Sequence, residues 1–514
     1  MKPIICLTMP ETTAVSRTSS MIAVSMLSAL FKQRNQKLET FDGIEYEKCP
    51  EQIQSFIELE KPDFLFIVFW YESQVFNPSS IRFIEQISKY KTKQHVTGVG
   101  RGASLYHEDI LAKYPVFDSV ILGEYEKTAL ELFDKVTSSD SWKDQPGIVY
   151  LNNGELVTTE PQGEMINPNG LPFADSSYLE NRRLYPLAVL STSRFCYGQC
   201  NFCLNKVFYK KLCTQYQARD ARLVVDEIEE INQKYGTRTF YFADNNFFTN
   251  GKLGVNRARE IARLLLERGL KIRFQIAARV NEIEIELFTL LKKAGLRKVF
   301  LGIESGYQPI LDRYQKQTTV EMNKNAVDIL RSLKINWEPG FILFDPLTTI
   351  QELKENINFI NEMELYKCKS PTGSPLLSSL TIFKGSDVEN IFPPNVWLEN
   401  NGLKSIRRYR ILDERANVVR ELLNWYQREI HTIFNHIQIE FRRKESQFDE
   451  KQKIEFHKEF IDWQSDLSEF DVKVLEKLIQ FVDGNNYEAE SIFERAKDLV
   501  HSMIEKNIHQ YFTH

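Results

Sequence analysis

The chain runs one local pattern through two long blocks: a short apolar run, a stretch of helical periodicity, then another apolar run. In the first block the runs Ile4 to Leu7, Leu38 to Phe41, Asp63 to Phe69, His95 to Val99 and Ser119 to Leu122 alternate with helical patterns near Ser20 to Gln33, Pro50 to Glu60, Ser79 to Tyr90 and Lys127 to Val136. Such βα repetition predicts a parallel sheet wrapped by helices, a doubly wound, Rossmann-like domain over 1–140 that binds ligands beyond the carboxyl ends of its strands. Gly98, Gly100, Gly102 and Gly123 fall at or just after those strand ends. They suit either close approach of a ligand or plain turn geometry.

Residues 141–185 read as a connector. Asn152-Asn153-Gly154 between two apolar runs predicts a β-hairpin, and Pro161 to Ala174 is rich in Pro and Gly. The alternation resumes over 186–389, with strands predicted at Leu187 to Ser191, Thr239 to Ala243, Arg273 to Ala277, Lys298 to Ile303, Trp337 to Phe344 and Ser378 to Phe383. Six strands with right-handed crossovers predict a partial (βα)6 TIM-like barrel whose site faces the strand C-termini. Residues 390–514 lack strand signals and show helical spacing such as Val472, Leu475, Leu478, Ile479 and Val482, which predicts an α-helical C-terminal domain.

Composition narrows the class. With 514 residues, 42% hydrophobic and 26% charged, the chain can fill several cores, and a net charge of -5 offers no basic field for nucleic acid. The basic stretch Ser405 to Arg410 reads as a solvated helix face. The apolar run Phe64 to Trp70 is a buried strand, too short to span a bilayer, and Met1 to Pro10 is no signal peptide. Seven Cys, an odd number, suit reduced thiols, so the expectation is a cytoplasmic protein. Cys6, Cys49 and Cys368 read as packed thiols, and His431 and His436, five apart, share a helical face poorly.

Chemistry concentrates after the first strand of the second block, in Arg194-Phe195-Cys196-Tyr197-Gly198-Gln199-Cys200-Asn201-Phe202-Cys203. Three thiolates spaced CxxxCxxC can hold an iron-sulfur cluster and leave one iron without a protein ligand. A zinc site is the rival reading, with Cys213 as a fourth ligand, and would make the chain a zinc-stabilised binding protein.

This loop, placed at the barrel's first strand, resembles the radical S-adenosylmethionine (SAM) enzymes, and more closely the subgroup with an N-terminal cobalamin-binding-type domain. Ser119 to Glu124, Gly147 to Tyr150, Leu171 to Asp175, Leu301 to Ser305 and Gly340 to Pro346 carry the resemblance in order along 1–390. It implies that Cys196, Cys200 and Cys203 hold a [4Fe-4S] cluster at which SAM is reductively cleaved to a 5′-deoxyadenosyl radical. It further implies that Phe202 packs near the adenine, that the Phe242-Ala243-Asp244 backbone meets the methionine amino group, and that Arg279 pairs with the SAM carboxylate. Glu304 would bind the ribose hydroxyls with Ser305 beside it, and the bulged run Gly340 to Phe344, centred on Ile342, would line the adenine.

The resemblance also implies a cobalamin bound near Trp70, Tyr71, Gly100, Gly102, Gly123 and Glu124. Here the chain departs from the pattern. It has no DxHxxG, it carries bulky Trp70 and Tyr71 where small or hydroxyl residues are usual, and it reads Val99-Gly100-Arg101-Gly102 where a Gly-Gly pair is usual. The implied function is a cobalamin-dependent methyltransferase acting on an unactivated carbon. The alternative is a radical SAM rearrangement, cyclisation or crosslinking enzyme with a degenerate, cobalamin-free first domain. Either would use a small-molecule or peptide substrate, as in natural-product biosynthesis, and an external electron donor such as flavodoxin or ferredoxin.

Overall fold

In a computed structural model of the chain, two parallel sheets dominate. The structure describes residues 3–10, 14–43, 50–71, 73–138, 140–162, 166–209, 217–248, 251–368, 375–399, 404–428 and 450–484, with 494, 495, 497, 498 and 502. Cys49, Cys213, His431 and His436 lie outside them.

The first sheet contains β1 (Ile4–Thr8), β2 (Leu38–Phe41), β3 (Phe64–Val68), β4 (His95–Val99), β5 (Ser119–Ile121), β6 (Ile148–Asn152) and β7 (Glu155–Thr158), in the order β2-β1-β3-β4-β5-β6-β7. Its first five strands are parallel, in the 2-1-3-4-5 order of a doubly wound fold. All five residues of β1, β3 and β4 are buried, the pattern of strands covered on both faces. The alternation sorts them into two cores. Ile4, Cys6, Phe64, Phe66 and Val68 join one core that continues into the barrel. Ile5, Leu7, Leu65, Ile67 and Phe69 join another on the opposite face.

The predicted hairpin is present, but it is no free connector. β6 pairs antiparallel with β5 through Val120 and Val149, because Ile148, Val149 and Tyr150 bury themselves against that otherwise open edge.

The second sheet opens with β8 (Ala188–Leu190). The chain then passes through β9 (Ser193–Arg194) and β10 (Gln217–Ala218), which pair with each other, to β11 (Thr239–Phe242), β12 (Arg273–Arg279), β13 (Leu296–Glu304) and β14 (Asn336–Phe341). The parallel order is β14-β13-β12-β11-β8. Its crossover helices follow from local sequence. In Ala221–Tyr235, Val224, Val225, Ile228 and Ile231 form the buried stripe, and Gly236 ends the helix at φ = +64°, where a side chain would be strained. In Ile350–Glu362, Thr349 and Glu352 form a capping box.

The sixth predicted strand is reduced to one parallel bridge, Phe344 to Ser379, held by Leu343 N to Ser378 O and Leu380 N to Phe344 O, both 2.8 Å. Ser378 and Ser379 are exposed and give that segment no face to bury. The chain then turns away into β15 (Ile382–Phe383), which pairs antiparallel with β16 (Ile406–Arg407).

That pairing corrects two expectations. The segment after 390 contains extended chain, and Ser405 to Arg410 is not a helix face. Buried Tyr409 and Ile411 flank exposed Arg410, a period of two rather than 3.6. Helices over 414–428 and Glu450–Gly484 follow, joined where buried Tyr426 donates its hydroxyl to buried Asp471 at 2.7 Å. Among the described residues, no helix is long and apolar enough to cross a membrane.

Candidate active site

The loop carrying the three cysteines leaves β8 at the carboxyl end of its sheet and is fixed by a side chain from the next strand. Asp244, buried just after β11, accepts from Thr192 N at 2.7 Å, Ser193 N at 2.9 Å and the Thr192 hydroxyl. Its carboxylate is thus spent on holding the loop's entry. Helix Leu204–Tyr209 starts directly after the last cysteine and fixes the exit.

Cys196, Cys200 and Cys203 are free thiols. Burial raises the Cys196 and Cys203 thiols, and the neighbours add to it, Cys203 acting on Cys196 and Cys200 on Cys203. The loop is shaped for something beside the sulfurs. A Cβ on Gly198 would stand 2.5 Å from Arg279 Nη1 and 3.5 Å from Cys196 Sγ, so only glycine leaves that space open. Three thiols carried by one short loop are donors of the kind an iron-sulfur cluster takes.

Arg279 stands at the end of β12. It is 5% exposed, donates Nη1 to Cys200 Sγ at 3.1 Å and Nη2 to the Lys316 carbonyl, and lies over the Tyr197 ring. Lys316 continues the chain of contacts: its buried ammonium lies 2.7 Å from Glu304 Oε1. Room for that pair comes from Gly302, where a Cβ would fall 2.7 Å from Lys316 Nζ and 2.9 Å from Glu304 Oε1. Glu304 itself sits at φ = +64°, beside the register shift between β13 and β14, and its carbonyl accepts from Ile342 N at 2.8 Å. Sequence reasoning missed Lys316, because a single Lys in a polar turn carries no signal until the fold brings it to Glu304.

The remaining residues divide. Phe202 packs on Tyr314, with ring centroids 5.1 Å apart. Ser305 is fully buried, and its hydroxyl is bound to Asn356 Oδ1 at 2.8 Å, away from any opening. Ile342 is half-buried at the edge of the site.

A cavity of about 550 Å³ lies between the carboxyl edge of the first sheet and the second sheet, lined at the carboxyl ends of β8 and β11 and along the middle of β12, β13 and β14. Trp70, Tyr71, Arg101 and Glu124 wall it from the first sheet, and Tyr241, Asp244, Gln275, Lys298 and Glu338 from the second. Trp70 and Tyr71 line this space without closing it. Their amides donate to Gln74 Oε1, and the Tyr71 hydroxyl donates to Ser19 Oγ at 2.8 Å. Gly100, at φ = +101°, and Gly102 have a packing reason: a Cβ on either would come within 3.0 Å of Phe69 O. Gly123 donates its amide to Ser104 Oγ at 2.8 Å. Glu124 meets Arg194 at 2.7 Å, and Arg194 also binds buried Glu126, so the residue two before Cys196 is held by the first domain. Burial pushes the Glu124 carboxyl up to about 7, against the opposing pull of Arg194. A cavity beyond the carboxyl ends of a doubly wound sheet is where such a fold binds ligands.

The radical SAM superfamily matches residues 190–360, from the end of β8 through the helix Ile350–Glu362. That match marks a radical SAM domain in the second sheet and its crossover helices. Over 255 residues it is 26% identical to an uncharacterized methyltransferase of Pyrococcus horikoshii, covering 49% of this chain and 54% of that protein. Over 268 residues it is 28% identical to an anaerobic magnesium-protoporphyrin IX monomethyl ester cyclase of Cereibacter sphaeroides, covering 50% and 42%. The chain thus spans about half the length of these curated relatives. In fold it is similar to the cobalamin-dependent S-adenosylmethionine radical enzyme OxsB, solved with aqua-cobalamin bound: TM-score 0.75, 18% identity, 98% of this chain and 76% of that one covered.

Proposed function

We propose that this protein is a cobalamin-dependent radical SAM methyltransferase acting on an unactivated carbon of a small-molecule or peptide substrate. The observation that carries the reading is the shared cavity: residues beyond the carboxyl ends of β3, β4 and β5 and residues of β8, β11, β12, β13 and β14 line one space, and Ser193 and Arg194, which lead into the cysteine loop, border it.

Bound together, SAM at the cluster supplies a 5′-deoxyadenosyl radical on reduction and cobalamin supplies a methyl group. The chain's own residues hold and orient these groups. Cys196, Cys200 and Cys203 are the cluster ligands of this reading, and Arg279, already donating to Cys200 Sγ, is a fixed donor for a carboxylate beside them. Glu304 faces Lys316 with one carboxylate oxygen and keeps lone pairs for ribose hydroxyls. Asp244 serves as the clamp of the cysteine loop, and Ser305 as support for the turn after β13. Trp70, Tyr71 and Glu124 form the wall against which cobalamin would rest.

The bulk of Trp70 and Tyr71 on that wall favours the second reading, a cobalamin-free rearrangement, cyclisation or crosslinking enzyme. Anaerobic reconstitution with iron, sulfide and hydroxocobalamin separates the two. The methyltransferase reading expects brown cluster absorbance, stoichiometric cobalamin, and both 5′-deoxyadenosine and S-adenosylhomocysteine when substrate turns over. Protein that takes up no cobalamin yet releases 5′-deoxyadenosine overturns it in favour of the second. Zinc without cluster absorbance overturns both.

A further inference from the structure

Most charges that wall the interdomain cavity already have partners. Arg194 bridges Glu124 and Glu126, Arg219 binds Glu227, and Lys298 meets Glu338 at 2.6 Å. Asp244 is held by two amides and a hydroxyl, with Arg257 close enough to stabilise its charge. Arg101 stands apart from these sets. Among the described residues no carboxylate lies within salt-bridge distance of its guanidinium, which makes one long contact, Nη1 to Asn245 Oδ1 at 3.4 Å.

The backbone holds this side chain where it is. Gly102 N and Ala103 N both donate to Phe69 O, at 2.9 and 3.2 Å, and Gly100 adopts a conformation strained for other residues in the same turn. The turn is thereby pinned to the end of β3, and Arg101 reaches from it across the domain boundary to Asn245, the residue after the loop clamp Asp244. Tyr71 and Tyr241 line the same cavity. Burial holds the Tyr241 phenol well above its ordinary value, Tyr71 adds to this and Arg101 opposes it.

We propose that Arg101 anchors an oxyanion on the substrate, so that the substrate class is small molecules bearing a carboxylate or phosphate group. This rests on the radical SAM reading of the cavity and adds to it the chemistry of what enters. Whatever fills the cavity strips water from the guanidinium, and a desolvated charge without a partner is strongly unfavourable. The planar fork of donors matches carboxylate and phosphate oxygens two at a time. The neighbouring carboxylates already have partners of their own, so an oxyanion on the ligand would give the guanidinium one.

The test uses reconstituted full-length protein and arginine modification by phenylglyoxal, with Arg101 followed by peptide mass. Inorganic phosphate or acetate is expected to slow Arg101 modification several-fold relative to chloride at matched ionic strength. Equal protection by chloride overturns the proposal. By calorimetry, phosphate binding should weaken at least tenfold in R101Q, with circular dichroism as the check on folding. R101K keeps the charge without the fork and should bind phosphate several-fold more weakly, a readout that survives if R101Q does not fold. Unchanged phosphate binding in either folded variant overturns the proposal. A tenfold loss of hydroxocobalamin affinity in R101Q would assign the anion to the cofactor's phosphodiester and overturn a substrate anchor. Wild-type protein that releases no 5′-deoxyadenosine from SAM would sink the underlying reading, and that separate assay leaves the protection result to be read by itself.

Discussion

Lys316 ties together side chains that look independent in the sequence. Its carbonyl accepts from Arg279, its ammonium pairs with Glu304, and Arg279 in turn touches Cys200. Lys316 and Glu304 side chains are only 5% and 12% exposed, so removing one strands the other's charge. K316M should therefore cost about 3 kcal/mol in urea unfolding. K316M combined with E304Q should cost clearly less than the two single changes summed. Additive costs would show that the pair is not coupled. In kinetics, K316M should raise KM for SAM by about tenfold, a shift of about 1.4 kcal/mol, with a smaller change in kcat. The cysteines, Arg279 and Glu304 could be singled out from motif positions, whereas Lys316 could not. Asp244 was also identified, for its backbone, while its carboxylate is saturated by the loop it clamps.

At the level of elements, strand and helix order was readable wherever apolar periodicity ran for several residues, as in β3 or Ala221–Tyr235. It failed where burial depends on a partner element. The segment 404–411 mixes Arg with Tyr and Ile, and it is pairing with β15 that makes Ile406–Arg407 a strand. Turn glycines were equally ambiguous until their neighbours were known. G100A would combine φ = +101° with a Cβ 2.7 Å from Phe69 O, and should lower stability by about 2 kcal/mol, seen as a fall in Tm.

Asp471 supplies a pH test for the docking of the C-terminal helix. Burial pushes its carboxyl up to about 7, with the Tyr426 hydrogen bond opposing. A carboxyl raised in the folded state binds its proton more tightly there than when unfolded. Its favourable contribution is complete below about pH 4 and is lost as pH rises to about 7. Unfolding free energy should accordingly fall across that window by up to about 4 kcal/mol. D471N should flatten the slope and raise Tm at pH 8, and an unchanged slope would rule Asp471 out.

Over the whole molecule, the decisive feature is that the cysteine loop is held from two domains. Arg194 binds Glu124 and Glu126 of the first domain, while Asp244 of the second clamps Thr192 and Ser193. R194M would leave Glu126, 2% exposed on its side chain, without its cation. It should cost about 3–5 kcal/mol and make the boundary between the domains newly sensitive to limited proteolysis. Wild-type protease resistance in R194M would argue that the latch is dispensable.

Local pattern alone determined the class of this protein: period-two and helical spacing dictate parallel sheets with crossover helices, and CxxxCxxC after a strand dictates a metal-binding loop. Those signals are short-range, because each is written within a few residues of chain. Which charges pair, whether Trp70 and Tyr71 fill or wall a cavity, and which cation is left facing it were decided only by tertiary structure. Burial and ion pairing depend on residues brought together from distant parts of the chain, such as Glu124 with Arg194 or Arg101 with Asn245. Such contacts leave no trace in local sequence.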